Sequence, residues 1–151
     1  MPSVQTRLAN ADDVEAIASL FDGYRQFYGQ SSDLGGASAF VAERLERGDS
    51  VIIVAEIDGQ QVGFAQLYPS FTSVGMTRIM ILNDLFVAVD HRRAGAGQAL
   101  LAAAAEWSRH AGAIRMTLST QNGNIAARQV YDRIGWVRDD EFVIYKFELT
   151  D

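Results

Sequence analysis

The chain has 151 residues, 48% of them hydrophobic, which suits one ordinary domain with a buried core and argues against disorder. The formal net charge of −6 leaves no basic footprint for nucleic acid, and no apolar run is long enough to span a bilayer. The absence of cysteine excludes a disulfide framework, a thiolate metal site and a cysteine nucleophile. The segment Met1 to Arg7 lacks the basic-then-apolar order of a signal peptide, so a cytoplasmic protein without nucleic-acid or membrane partners is expected. The acidic balance either steers cationic small molecules or serves only solubility.

Val4, Thr6 and Leu8 alternate as a short strand. Asn10 is placed to cap a helix whose apolar face runs through Val14, Ile17, Leu20 or Phe21, and Tyr24, with Asp12, Asp13 and Glu15 at its positive end. The stretch Gly29 to Gly36 breaks that pattern, and Ser38 is expected to cap a shorter helix through Leu45, ended by Gly48. Val51 to Ile57 and Val62 to Tyr68 read as strands joined by the Asp58-Gly59 turn. A third apolar stretch, Ile79 to Val89, is interrupted by Asn83-Asp84.

Gln98 to Ala111 is alanine-rich and helical, with Gly112 behind it. Ile114 to Ser119 reads as a strand, Ile125 to Ile134 as a helix closed by Gly135, and Phe142 to Leu149 as a last strand. The order predicts a single α/β domain over residues 1–151: a twisted mixed sheet of six or seven strands flanked by about four helices. The β-glycine loop-α-β segment in its middle calls for a crossover and a parallel pair. Trp107 and Trp136 are expected in the core, with Met76, Met80 and Met116 as gap-fillers. His91 and His110 show no metal spacing, so no metal is expected.

The chemistry concentrates between Leu85 and Gln98. An apolar strand runs into Arg92-Arg93-Ala94-Gly95-Ala96-Gly97 and then into a helix, which presents free N–H groups at a positive helix end. Such a loop suits a pyrophosphate, since glycines let the backbone approach and arginines add charge-assisted contacts. Read alone, it could equally be a tight strand-to-helix turn. The spacing fits neither a dinucleotide fingerprint nor a Walker loop.

Arg92-Arg93-Ala94-Gly95-Ala96-Gly97 resembles the R/Q-x-x-G-x-G/A signature of the GNAT N-acetyltransferases. Asn124, Ala127, Tyr131, Gly135 and Trp136 resemble that family's second motif, N-x-x-A-x-x-x-Y-x-x-x-G-F/W, in the right order. The resemblance covers residues 3 to 149 by element order and is motif-specific from 80 to 136. It implies acetyl transfer from acetyl-CoA to a primary amine. It places the pyrophosphate on Arg92, Arg93, Ala94, Gly95, Ala96, Gly97 and Gln98, and the pantetheine along Leu85, Phe86 and Val87. Asn124, Ala127 and Tyr131 also fall on the cofactor, and relatives of this family are often homodimers. Leu67-Tyr68-Pro69-Ser70-Phe71 followed by Ile81 to Val87 is similar to the diamine, polyamine and thialysine branch, which points to a small cationic amine.

That branch often has Glu-Asp where Asn83-Asp84 stands here. Asparagine cannot act as a base, so Asp84 is the nearest carboxylate for that role, or else it only pins the backbone or pairs with an arginine. Deprotonation matters because about one alkylamine in 2,500 is neutral at pH 7. The resemblance maps the acid for the departing thiolate onto Tyr131, whose other reading is a core tyrosine. Asn124 contacts the cofactor, caps its helix, or both. Tyr24, Arg25 and Tyr28 stand where relatives put substrate-facing residues, and Asn83 and Asp84 border the same position; an ordinary packed helix end is the alternative for the first three. A backbone N–H near Leu85 could polarise the thioester. Two rivals remain: a catalytically idle acyl-CoA-binding regulatory module, and a protein N-acetyltransferase.

Overall fold

Antiparallel pairing joins β1 (Val4–Leu8), β2 (Val51–Ile57), β3 (Gln60–Thr72) and β4 (Thr77–Val87), and β5 (Met116–Thr117) runs parallel to β4 in a sheet of order β1-β2-β3-β4-β5. These elements belong to a computed structural model that describes residues 3–150. The chain divides into two compact units, one ending at Leu118 and one beginning at Ser119.

In the first unit, Asn10 and Asp13 form the capping box of a 3-10 turn, Ala11–Asp13, that leads into α1 (Val14–Phe27). Asp13 also takes both arms of the Arg7 guanidinium at 2.8 Å, tying β1 to the helix start. The second helix, α2 (Leu34–Arg47), starts earlier than its sequence suggests. Its cap is Asp33, whose Oδ1 accepts from the Gly36 N–H at 3.0 Å, and not Ser38. A Cβ on Gly36 would lie 2.5 Å from Asp33 Oδ2, so glycine there permits the cap instead of breaking the helix. Gly48, at φ 63°, ends α2.

Asp58 (φ 51°) and Gly59 (φ 76°) make the two-residue turn between β2 and β3, the left-handed pair that matches strand twist. β3 then runs past its expected end at Tyr68, through Pro69. Met80 faces Pro69 across the ladder but sends its own N–H to Arg115 on the other side, so the pair is non-hydrogen-bonded. Pro69 nitrogen therefore faces the β2 side, where pairing has already stopped at Leu67. The missing donor costs no ladder bond.

α1 and α2 cover one face of the sheet. Ile17, Val41, Ile52 and Val54 form a buried cluster there, with Ala9, Phe21 and Leu45 packed against it. Each such side chain contributes about 1.5–3 kcal/mol by leaving water. α3 (Ala96–His110) covers the other face: Phe86 lies under Gly23 of α1, while its neighbour Val87 lies nearest Gly97 of α3.

Among the described residues the sheet has five strands, not six or seven. The expected strand Ile114 to Ser119 contracts to Met116–Thr117, and Phe142 to Leu149 forms no strand among the described residues. Phe142, Val143, Ile144 and Tyr145 are exposed. Their β-branched and aromatic character reports strand propensity, but a strand also needs a ladder partner, which propensity does not specify. Met76, expected as a gap-filler, is 90% exposed at the β3–β4 turn. The second unit holds α4 (Ile125–Arg133), the fourth helix, followed by Gly135 at φ 103°.

Candidate active site

The register between β3 and β4 slips in the middle of the sheet. Gln66 pairs with Asp84 but Leu67 pairs with Leu82, so Asn83 is the extra residue of a β-bulge. The hydroxyl of Tyr24 on α1 donates to the Asn83 carbonyl at 3.3 Å. Asn83 Nδ2 donates to Asp84 Oδ1 at 3.0 Å, and Gln66 Nε2 donates to Asp84 Oδ2 at 2.6 Å. Asp84 is only 4% exposed, and among the described residues it has no ion-pair partner. A buried carboxylate held by neutral donors and lacking a cation is chemically suited to a cationic ligand.

Two phenols feel this charge. Burial first, and then the Asp84 carboxylate, push Tyr24 well above the ordinary tyrosine range. Burial and Asp84 likewise raise Tyr68, the β3 residue two positions beyond Gln66. Tyr24 also joins an aromatic cluster, with ring centroids 5.1 Å from Tyr28, 5.9 Å from Phe64 and 6.1 Å from Phe86. Arg25 is turned the other way. It donates to the Ser31 carbonyl at 3.1 Å and lies 3.9 Å from buried Asp22, so it holds the α1–α2 loop.

β5 pairs with only Met80 and Ile81. Beyond them, among the described residues, β4 has no strand on its outer side. Ala88 donates inward to Val62 at 2.8 Å, so strand alternation turns the backbone polar groups of Leu85 and Val87 toward that open edge. Arg92 Nε takes the Val87 carbonyl at 3.0 Å, and its guanidinium lies 5.7 Å from the Phe86 ring centroid and 5.8 Å from that of Phe27.

Gly95, at φ 90°, turns the chain into α3 without a side-chain cap. The first helical bond runs from Ala99 N–H to the Gly95 carbonyl at 3.0 Å, so the N–H groups of Ala96, Gly97 and Gln98 head the helix without intrahelical partners. A Cβ on Gly97 would meet only Val87 Cγ2, at 4.0 Å. No contact among the described residues calls for glycine there, although glycine in a helix costs about 0.5–1 kcal/mol. Space kept open over bare N–H groups fits a phosphate-bearing ligand such as coenzyme A. Arg93 and Ala94 lie exposed on this loop, Arg93 at φ 68°.

In the second unit, Asn124 Oδ1 accepts from the Ala127 N–H at 3.3 Å, so the helix-cap reading of Asn124 holds. Tyr131 and Trp136 are neighbours, their ring centroids 6.0 Å apart. His110 pairs with Glu106 at 2.8 Å, and the described residues contain no group of three or more side chains able to hold a metal.

Sequence reasoning passed over Gln66, Ser50 and Tyr68. The signal that could have found them is one amide inside the apolar run Val62 to Leu67, because a buried amide must be bonded to something.

The acetyltransferase (GNAT) family profile matches residues 17–136. The chain is 50% identical over 139 residues to the uncharacterized N-acetyltransferase YhfO of Bacillus subtilis (strain 168), covering 92% of this chain and 93% of that protein. A crystal structure of a probable acetyltransferase superposes with a TM-score of 0.91 at 38% identity, covering 97% of this chain and 99% of the other. An aminoglycoside N-acetyltransferase in complex with CoA shares the fold at a TM-score of 0.81 and 19% identity, covering 97% and 96% of the two chains. The chain belongs to the GNAT acetyltransferase family and is an acetyl-CoA-dependent N-acyltransferase.

Proposed function

We propose that the chain acetylates a small cationic amine, in the manner of the diamine and polyamine enzymes that Leu67 to Phe71 and Ile81 to Val87 resemble. One observation carries this reading: Asp84 is a buried carboxylate with no cation of its own, set in a bulge beside an open strand edge. An acceptor ammonium supplies the missing charge. The negative balance of the chain draws such a substrate in.

Acetyl-CoA, when bound, supplies the acetyl thioester. The loop from Arg92 to Gln98 holds its pyrophosphate, with Asn124 and Ala127 as further contacts, and the backbone of Leu85 to Val87 accepts the pantetheine. Tyr24, Tyr28 and Asn83 line the acceptor side. Asp84 takes a proton from the ammonium, and the freed amine attacks the thioester carbon, whose oxygen is polarised by the Leu85 N–H. The new C–N bond forms as the C–S bond breaks; the nitrogen loses its surplus proton to solvent, and the Tyr131 hydroxyl gives its own proton to the departing sulfur. Solvent returns that proton to Tyr131 and removes the one held by Asp84. The second motif, Asn124 to Trp136, supports the Tyr131 role. No metal takes part, and the family habit supports a cytoplasmic homodimer that needs neither nucleic acid nor membrane.

Free-thiol release from acetyl-CoA, measured over diamines, polyamines, lysine analogues, aromatic amines and peptide N-termini, tests the reading. Cationic aliphatic amines should react fastest, with rates that fall as salt rises. Fastest turnover of neutral aromatic amines without a salt effect contradicts the substrate class. Binding of coenzyme A without turnover of any amine would favour the idle module, and peptide N-termini as the best acceptors would favour protein acetylation.

A further inference from the structure

We infer that Gln66 is a positioning residue for Asp84, and that Ser50 anchors the far end of its amide. The inference rests on the proposed role of Asp84 as the base. Gln66 is 2% exposed in β3, and both ends of its amide are engaged. Nε2 donates to Asp84 Oδ2 at 2.6 Å, and Oε1 accepts from the Ser50 hydroxyl at 2.8 Å.

The order of these bonds matters because an amide has two orientations. A carboxylate only accepts, so a flipped Gln66 would set its own oxygen against Asp84 Oδ2. The carboxylate therefore sets the orientation, and the Ser50 hydroxyl, placed just before β2, donates to Oε1 and anchors the amide in that place. Asn83 Nδ2 holds the other carboxylate oxygen at 3.0 Å. A carboxylate offers about four lone-pair sites. With one donor fixed on each oxygen, the remaining acceptor directions are set for an incoming ammonium. Gln66 pairs with Asp84 at the bulge itself, so its amide is also the bond that keeps the carboxylate on the α1 face, where Tyr24 and Phe64 lie. An apolar side chain of similar length would fill the same space and pack as well, but it would leave Asp84 Oδ2 unbonded.

The test uses Gln66→Met, Ser50→Ala and Ser50→Thr in the full chain, with the best amine of the panel. Gln66→Met should lower kcat by about tenfold or more, the scale of a lost hydrogen bond to a charged group, and leave calorimetric coenzyme A affinity within about twofold. Ser50→Ala should lower kcat by about two- to tenfold, and Ser50→Thr, which keeps the hydroxyl, should restore it. In the free protein, NMR should show slowly exchanging Gln66 side-chain amide protons that become fast-exchanging in Ser50→Ala and slow again in Ser50→Thr. A folded Gln66→Met with wild-type kcat overturns the inference. So does a Ser50→Thr that behaves like Ser50→Ala, a comparison that remains decisive if Gln66→Met does not fold. Asp84→Asn separates the two levels: if it keeps the wild-type rate, the base assignment itself fails, whereas a slow Asp84→Asn beside an unaffected Gln66→Met removes only the role of Gln66.

Discussion

The Tyr24 hydroxyl donates to the carbonyl of Asn83 at 3.3 Å, joining helix α1 to the one residue that β4 holds in excess over β3. A bulge frees a carbonyl from the ladder, and here the freed group is tied to the helix that carries Tyr24 and Tyr28, the aromatics proposed for the acceptor side. Tyr24→Phe removes this bond together with the hydroxyl's interaction with Asp84. The ring keeps its contacts with Phe64 and Phe86. The expected result is a loss in kcat/KM for the amine of about two- to tenfold, the scale of one net hydrogen bond, with coenzyme A affinity unchanged. Steady-state kinetics and calorimetry on one preparation check it; an unchanged kcat/KM would show that the tie does not serve the acceptor.

Gly97 separates a ligand role from a folding role. Among the described residues a Cβ there meets Val87 Cγ2 alone, at 4.0 Å. Gly97→Ala should therefore stabilise α3 by about 0.5–1 kcal/mol and raise Tm by a few degrees. The same methyl group stands where the phosphates are proposed to approach the N–H groups, so coenzyme A should bind about fivefold more weakly or worse, as overpacking by about 1–3 kcal/mol implies. Gly97→Glu should bind more weakly still. A variant that is both more stable and as tight a binder as wild type would move the phosphate site elsewhere.

Acid should weaken the junction of β1 and α1. The Arg7 guanidinium, and then the Asn10 N–H among its hydrogen-bond donors, hold Asp13 at about 2, below the ordinary aspartate value of 3.8. A depressed carboxylate pKa adds stability that is fully present above 3.8 and is lost as pH falls through about 2. The amount is on the order of 2 kcal/mol at most, and solvent around the half-exposed Arg7 reduces it. Denaturant unfolding of wild type and Asp13→Asn between neutral pH and pH 2 checks this. The gap between the two should close in acid; a gap that stays constant contradicts the assignment.

Much of this arrangement is legible in the residues. Asp58-Gly59 announces its turn, Asn10 its cap and Gly95-Ala96-Gly97 its helix start, because each depends on local backbone chemistry. What depends on long-range partners is not legible. Asn83 as a bulge residue follows from the register of β3 against β4, which the apolar run Ile79 to Val87 does not encode. The Ser50-Gln66-Asp84 chain joins positions far apart in sequence. Phe142 to Leu149 has the composition of a strand without a ladder partner among the described residues, so composition alone overcounts strands. Ser38 looked like a cap because Gly35 and Gly36 looked like breakers, and the Asp33 cap reverses both readings.

Tyr131→Phe tests the proton donor. An ordinary phenol, with pKa about 10, is protonated at neutral pH and can donate to a leaving thiolate. The substitution keeps the ring that neighbours Trp136, so the packing there and the coenzyme A affinity should hold. The rate should drop by about 10²–10⁴-fold. A drop confined to stability, with turnover per folded molecule intact, would make Tyr131 a packing residue and assign the proton to water.

The most direct test of the account is kcat of Asp84→Asn with the best cationic amine, read beside coenzyme A affinity on the same preparation. Asparagine has the shape of aspartate and can still accept from Gln66, and Asn83 can turn its amide oxygen toward the new NH2, so the bulge should survive while the charge and the base are lost. A fall of about 10²–10⁴-fold in kcat, with coenzyme A affinity within about twofold, is the expected result. A folded Asp84→Asn turning over within about threefold of wild type, far below the range of general-base catalysis, would contradict it.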